Sequence, residues 1–167
     1  LSRQTLPAYS RDSEQLAQIS RGGYVLQYEN GECDAVLIAT GSEVELAMQA
    51  AQECLSMGLQ VRVVSMPCVK RFLSQDVSYR DHVLPSDLEV RVVVEAGSTA
   101  AWYQIAGRFG SVIGVDQFGY SAPIQDVYHA CGMTVDAVVS AVKQGVGEKL
   151  IAQRSEEHTS ELQSPMY

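Results

Sequence analysis

The stretch Ala35-Val36-Leu37-Ile38-Ala39-Thr40-Gly41-Ser42-Glu43-Val44-Glu45 runs from an apolar segment through one glycine into a polar segment. A continuous apolar run of this length is typical of a strand that is covered on both faces of a parallel sheet. Ser42 and Glu45 have the spacing of a capping box, in which each side chain accepts a hydrogen bond from the other residue's backbone amide. The stretch therefore predicts a strand, a turn and a helix, which is the repeating unit of an α/β fold.

The same alternation continues on both sides of this unit. Four other segments have the apolar, β-branched composition of strands: residues 24–28, 61–66, 90–94 and 111–115. Helices are predicted over residues 42–57, 75–84, 98–109, 123–131 and from 134 onward. Right-handed crossovers between such strands give a mainly parallel sheet. We predict a three-layer sandwich around a mainly parallel five-stranded sheet, with the first strand as an antiparallel edge strand because a short turn follows it.

Apolar spacing also predicts which helix residues face the core. The predicted buried residues are Ala47, Ala51, Cys54 and Leu55, then Tyr79 and Val83, then Trp102, Ile105, Ala106 and Phe109.

Composition and charge exclude several classes of protein. The 167 residues have a formal net charge of −8 and are 46% hydrophobic, which suffices for a globular core. The acidic balance argues against binding to nucleic acid or to an anionic membrane surface, and no apolar run has the length of a membrane span. The cysteines lack C-x-x-C and metal-ligand spacing, which favours buried free thiols in a reducing compartment. We expect a cytoplasmic protein.

The chain divides into four parts. Residues 1–8 have the pattern of the end of a preceding domain, because the chain starts at Leu1 within a strand-like segment. Residues 9–22 are a polar linker, residues 23–150 are the α/β domain, and residues 151–167 are a disordered tail. Within that tail the sequence RSEEHTSELQSP resembles the translation of a common sequencing adapter, so we exclude it from fold reasoning as an artefact.

Two turns, Gly41-Ser42 and Gly97-Ser98, follow strands at the edge where open α/β sheets usually bind ligands. A helix N-terminus there could hold a phosphate, but Glu43 and Glu45 would repel an anion and already complement the helix dipole. Glu95 ends a buried strand and could serve as a general acid or base if its pKa were raised, although a structural role is favoured. These patterns predict no complete active site.

No nucleotide-binding glycine motif and no G-x-S-x-G nucleophile motif is present, and His82 and His129 are isolated histidines.

Six segments, in order, resemble the C-terminal region of the transketolase family. They are Leu1-Ser2-Arg3-Gln4, Arg21-Gly22-Gly23-Tyr24-Val25-Leu26, Ile38-Ala39-Thr40-Gly41-Ser42-Glu43-Val44-Glu45-Leu46-Ala47, Val61-Arg62-Val63-Val64-Ser65-Met66-Pro67, Val94-Glu95-Ala96-Gly97 and Phe118-Gly119-Tyr120-Ser121-Ala122-Pro123. The resemblance covers residues 1 to about 145 and depends on the order and spacing of the segments. It implies that residues 1–8 end a pyrimidine-binding domain and that residues 23–150 form a transketolase C-terminal domain.

The resemblance implies a homodimeric enzyme that uses thiamine diphosphate and Mg²⁺ or Ca²⁺. Such an enzyme moves a two-carbon ketol unit from a ketose phosphate to an aldose phosphate in the pentose phosphate pathway. The family holds its cofactor in other domains, so we expect this chain to contain no catalytic, cofactor-binding or metal-binding residue and to be inactive alone. One substrate-binding residue carries over: Arg3, whose counterpart binds the substrate phosphate through its guanidinium group.

Two alternatives stay open at this point. The first is the equivalent domain of another thiamine diphosphate enzyme, such as an oxoacid dehydrogenase beta subunit or deoxyxylulose phosphate synthase. The segment Ser65-Met66-Pro67-Cys68 and the loop 118–123 favour transketolase over these enzymes. The second is a non-catalytic α/β module that binds a ligand at its strand ends.

Overall fold

We analysed a computed structural model of the chain, which describes residues 5–116 and 124–162. Its strands are β1 Tyr24–Gln27, β2 Ala35–Ala39, β3 Val61–Ser65, β4 Arg91–Glu95 and β5 Ser111–Gly114. They form one sheet in the order β1-β3-β2-β4-β5. β1 pairs with β3 in antiparallel orientation, and the three other pairings are parallel. The predicted mainly parallel sheet with an antiparallel edge strand is confirmed.

Helices cover both faces of this sheet. They are α1 Ser13–Ile19, α2 Glu43–Ser56, α3 Val69–Leu73, α4 Val77–Val83, α5 Ile124–Ala130 and α6 Val135–Leu162. On one face, Leu37 and Val92 of the sheet pack with residues of α2 and α6. On the other face, Ile38 and Val93 pack with residues of α3 and α4 and with Trp102. The predicted three-layer architecture is therefore also confirmed.

The apolar run that decided the fold occupies the centre of the molecule. All five residues of β2 are 0% exposed, because β3 and β4 flank the strand and helices cover both of its faces. Full burial of one Val, Leu or Ile side chain stabilises a fold by about 1.5–3 kcal/mol, so this strand is a main contributor to stability. The carboxyl end of this strand, Ala39, pairs with Ser65 at the end of β3.

The predicted helix over 98–109 is wrong. The segment is a series of turns, with bonds such as Trp102 N–H to Thr99 O (2.9 Å) and Ile105 N–H to Trp102 O (3.0 Å). Gly107 has a φ of +78°, a left-handed conformation that ends any regular helix. Trp102 and Ile105 are buried as predicted, so the apolar spacing identified the core residues although it gave the wrong backbone.

The helix predicted over 75–84 is confirmed as α4, and the short α3 that precedes it was not predicted. Two other expectations need correction. The linker over 9–22 contains α1, which begins with a capping box between Asp12 and Gln15. Leu55 is 51% exposed and faces solvent, since α2 buries the narrower face formed by Ala47, Ala51 and Cys54.

The predicted disordered tail also differs from the structure, because α6 continues through residues 151–162. This segment contains neither Gly nor Pro, so the helix that packs on the sheet can propagate into it without a break. The side chains over 153–158 are exposed. The adapter origin of this segment stays a prediction.

Within residues 5–116 and 124–162, no helix combines the length and the apolarity that crossing a bilayer requires.

Candidate functional site

The carboxyl ends of β2, β3 and β4 lie side by side, as parallel strands require, and we call this the carboxyl edge. Gly41 turns the chain there with a φ of +58°, and Ser42 already has helical dihedral angles, φ −68° and ψ −27°. Ser42 makes no capping bond, so the predicted capping box is wrong; an N-cap normally needs an extended backbone to turn its side chain toward the following amides. Its hydroxyl instead donates to Glu43 Oε1 at 2.6 Å.

Glu43 is a buried carboxylate at the centre of the carboxyl edge, with 4% of its surface exposed. Its Oε1 accepts a hydrogen bond from the hydroxyl of Tyr128, which lies on α5, as well as the bond from Ser42. Its position at the first turn of α2 adds a favourable interaction with the helix dipole. Glu43 therefore connects α2 to α5 and is part of the structure of this edge.

Glu95 ends β4 on the same edge and is only partly buried. Burial, and secondarily the negative charge of Glu43, raise the pKa of the Glu95 carboxyl group. A carboxyl group with a raised pKa is a candidate for proton transfer. No histidine in the described part of the chain joins it, because His82 bonds Tyr28 (2.9 Å) and both His129 and His158 are exposed on their helices. The structure thus brings two carboxyl groups together, with the hydroxyls of Ser42 and Tyr128 bonded to Glu43.

A cavity of about 370 Å³ lies between residues 6–19 and the turn that begins α2 at the carboxyl edge. Arg11 and Glu45 both line it. Arg11 is held in place, because its Nε donates to the Tyr24 hydroxyl (2.7 Å) and its guanidinium donates to Tyr9 O (3.0 Å). One arginine opposite one glutamate gives the cavity no net positive charge. Sequence reasoning missed Arg11, since nothing distinguished it within a polar linker.

The residues described here do not fit thiamine diphosphate and its metal ion. Over 5–116 and 124–162, no group of three His, Cys, Asp or Glu side chains is arranged to hold a metal ion. The carboxylates of Glu43 and Glu95 at the strand ends would also repel a diphosphate. We therefore derive no chemical step through this cofactor from these residues.

Two sequence predictions lie outside the described residues: Arg3 as a phosphate ligand, and the loop 118–123. The four cysteines are free, and they differ in exposure. Cys54 is buried as predicted, whereas Cys68 is exposed, which contradicts the expectation that all four thiols are buried. Burial raises the pKa of the Cys54 thiol to about 11, so it behaves as an inert core residue.

Comparison with known proteins shows which family the chain resembles. A family model described as "Transketolase-like TK C-terminal domain" matches residues 22–134. Transketolase 1 of Vibrio vulnificus is 46% identical over 143 residues, which are 86% of this chain and 22% of that protein. Transketolase 1 of Escherichia coli is 46% identical over 144 residues, with the same shares of both chains. The chain thus spans about a fifth of the length of these relatives.

Solved structures show the same similarity. A transketolase from Leishmania mexicana superposes with a TM-score of 0.72 at 34% identity, over 80% of this chain and 19% of that chain. A transketolase from Pichia stipitis in complex with sedoheptulose-7-phosphate gives a TM-score of 0.76 at 30% identity, over 87% and 20%. The matched family model covers more than half of the residues, and its fold is the one seen here. The chain belongs to the transketolase-like TK C-terminal domain family.

Proposed function

We propose that this chain is the C-terminal part of a transketolase that transfers a two-carbon ketol unit from a ketose phosphate to an aldose phosphate. The observation that carries the proposal is the 46% identity to transketolases over 86% of the chain, together with the family match over residues 22–134. The sedoheptulose-7-phosphate in the Pichia stipitis complex supports sugar phosphates as the substrate class.

In this proposal the chemistry takes place in the rest of a homodimeric, cytoplasmic enzyme, which binds thiamine diphosphate with Mg²⁺ or Ca²⁺. The carboxylates of Glu43 and Glu95 at the carboxyl edge support this division, because they would repel a diphosphate. The domain acts by packing, through exposed apolar residues such as Leu6, Leu16 and Ile19 at the cavity beside the carboxyl edge. Covering such residues in a larger protein is favourable because it removes apolar area from water.

Arg3 is the one residue of this chain that we propose to contact substrate. A guanidinium group can donate two parallel hydrogen bonds to phosphate oxygens, which fixes the orientation of a phosphorylated sugar as well as its position. The residue binds and orients the substrate and takes no part in bond making. Its loss should therefore raise KM for sugar phosphates more than it lowers kcat.

The test is a chimera in which this chain replaces the corresponding C-terminal segment of Escherichia coli transketolase 1. We expect ketol transfer within about tenfold of the parent kcat/KM, because the two segments are 46% identical. The isolated chain, assayed in parallel, should give no turnover. A chimera that is folded and dimeric but inactive, or an isolated chain that turns over, would contradict the proposal. An Arg3→Ala chimera tests the phosphate contact separately through KM.

A further inference from the structure

A second cavity lies at the other end of the sheet, where β4 begins. Its volume is about 280 Å³, and its polar lining includes Arg80, Arg91, Ser86 and Gln104. Leu84 and Ile105 contribute apolar wall. Two guanidinium groups thus line one small cavity, and the proposed ketol transfer uses neither of them.

Arg91 is a fixed cation in this cavity. Its Nε donates to Leu88 O at 2.8 Å, and its Nη2 donates to Pro85 O at 2.7 Å. Burial is the largest influence on its pKa and lowers it, yet a guanidinium keeps its proton at any physiological pH. The acceptors that bind the Arg91 guanidinium are neutral backbone carbonyl groups. Its positive charge therefore has no direct ion-pair partner among the described residues.

Arg80 is the free cation in this cavity. In the described part of the chain its side chain makes no hydrogen bond and no ion pair, and its Nε is buried without an acceptor. The helix end does not need it, because Arg62 donates to His82 O (3.0 Å) and to Val83 O (3.4 Å). A buried donor without an acceptor costs free energy, which an anionic ligand would recover.

The side chains that line the cavity carry a net positive charge, although three carboxylates act on Arg91. Asp81 also lines the cavity, but its Oδ1 accepts a hydrogen bond from Ser86 N–H at 2.8 Å. Asp87 and Glu89 act on Arg91 from farther along the loop. The lining side chains thus carry two positive charges and one negative charge, in a chain whose net charge is −8.

We propose that this cavity binds the phosphate group of a small phosphorylated metabolite, with Arg80 and Arg91 donating to its oxygens. Two guanidinium groups suit a dianion with three free oxygens better than a carboxylate, which one guanidinium saturates. The volume leaves room for a small organic group beyond the phosphate. The site is separate from the proposed phosphate contact of Arg3 and does not depend on the proposed function.

The test is a two-dimensional NMR titration of the full chain with inorganic phosphate, ribose 5-phosphate and ribose. We expect saturable shifts at Ser86 and Gln104 with both phosphates and none with ribose. Arg80→Gln should weaken phosphate binding at least about tenfold. Arg80→Lys keeps the positive charge but cannot donate two parallel hydrogen bonds to the phosphate, so it should weaken binding less. Arg71→Gln is the matched control: Arg71 is exposed on the neighbouring helix, outside the cavity, and should leave the affinity within about twofold.

Tighter binding of ribose 5-phosphate than of phosphate would support a ligand with an organic part, and equal binding would support recognition of the phosphate group alone. The proposal would be overturned if wild-type chain showed no saturable shift at Ser86 and Gln104. It would also be overturned if Arg80→Gln and Arg71→Gln bound phosphate equally well, or if ribose bound as tightly as ribose 5-phosphate.

Discussion

The two ends of the sheet differ in the sign of the charged side chain that lacks a hydrogen-bond partner among the described residues. At the carboxyl edge Glu43 is bonded to Ser42 and Tyr128, while the carboxyl group of Glu95 has no hydrogen-bond partner among the described residues. At the amino end, Arg62 and Arg91 are bonded to a carboxylate and to carbonyl groups, while the Arg80 side chain has no partner in the part of the chain that the structure describes. Each end thus combines charged side chains that are hydrogen-bonded within the fold with one charged side chain, Glu95 or Arg80, that is not.

This difference bears on where the domain can bind ligands. Open α/β sheets usually bind at the carboxyl edge, but here carboxylates occupy that edge and would repel phosphorylated molecules. The free positive charge lies at the other end, at Arg80. The bonded charges should therefore control stability, and the free charges should affect ligand binding or the pH dependence of stability.

The largest expected effect is at Arg62. Its side chain forms a two-point ion pair with Glu29, with N–O distances of 2.8 and 2.5 Å, and only 10% and 13% of the two side chains are exposed. Arg62→Met leaves the Glu29 carboxylate unpaired in a low-dielectric site, so the free energy of unfolding should fall by about 3–5 kcal/mol. Urea denaturation measures this loss.

The matched control is the double variant Arg62→Met with Glu29→Gln, which removes both charges. It should be more stable than Arg62→Met alone, because no buried charge is left without a partner. If the double variant were the less stable of the two, the unpaired carboxylate would not be the cause of the loss.

The next effect is at Tyr128, which donates a hydrogen bond to the buried Glu43 carboxylate. Tyr128→Phe removes a hydrogen bond to a charged group and should lower the free energy of unfolding by about 1.5–3 kcal/mol. Tyr103→Phe is the control, since Tyr103 is 62% exposed and should change stability by less than about 0.5 kcal/mol. Equal stabilities of the two variants would show that Glu43 does not depend on α5.

A smaller effect of opposite sign is expected at Glu95. Its pKa is raised in the folded state, by burial first and by Glu43 second, so the folded chain binds this proton more tightly than the unfolded chain. Its contribution to stability is therefore greatest at low pH and is lost as pH rises from the ordinary glutamate value through the raised one. Glu95→Gln should be more stable than wild type at pH 7, by about 0.5 kcal/mol, with little difference at pH 4.

Denaturation at pH 4, 5.5 and 7 gives this comparison directly. A Glu95→Gln variant that is less stable than wild type at pH 7 would mean that the ionised carboxylate accepts stabilising hydrogen bonds.

The smallest effect on stability is expected at Arg80. Because its side chain has no partner among the described residues, Arg80→Gln should lower the free energy of unfolding by no more than about 0.5 kcal/mol. Thermal unfolding in a phosphate-free buffer measures it. A loss as large as that of Arg62→Met would show that Arg80 is structural and would remove the contrast between bonded and free arginines.

Local apolar pattern predicted most of the fold. The run over β2 and the β-branched segments of β3 and β4 gave the strands, because a strand between two helical layers needs apolar residues on both faces. The turns over 98–109 were not predictable in this way, since Trp102 and Ile105 have helical spacing and the left-handed φ of Gly107 is not encoded in that spacing.

The charged sites were less predictable than the strands. Glu43 and Tyr128 are 85 positions apart, and Arg62 and Glu29 are 33 positions apart, so only the folded chain brings them together. Glu95 was singled out because it ends a buried strand, and its raised pKa agrees with that position. The family was predicted from the order and spacing of six segments. Composition and hydrophobic periodicity alone do not reveal it.

We propose that this domain completes a transketolase without adding a catalytic group. The most direct test is kcat for ketol transfer by the chimera with Escherichia coli transketolase 1, with and without Glu95→Gln. We predict kcat values within about twofold of each other, because no proton transfer passes through Glu95. A fall in kcat of about 100-fold or more in a folded, dimeric variant would contradict the claim, since general acid–base catalysis contributes that much.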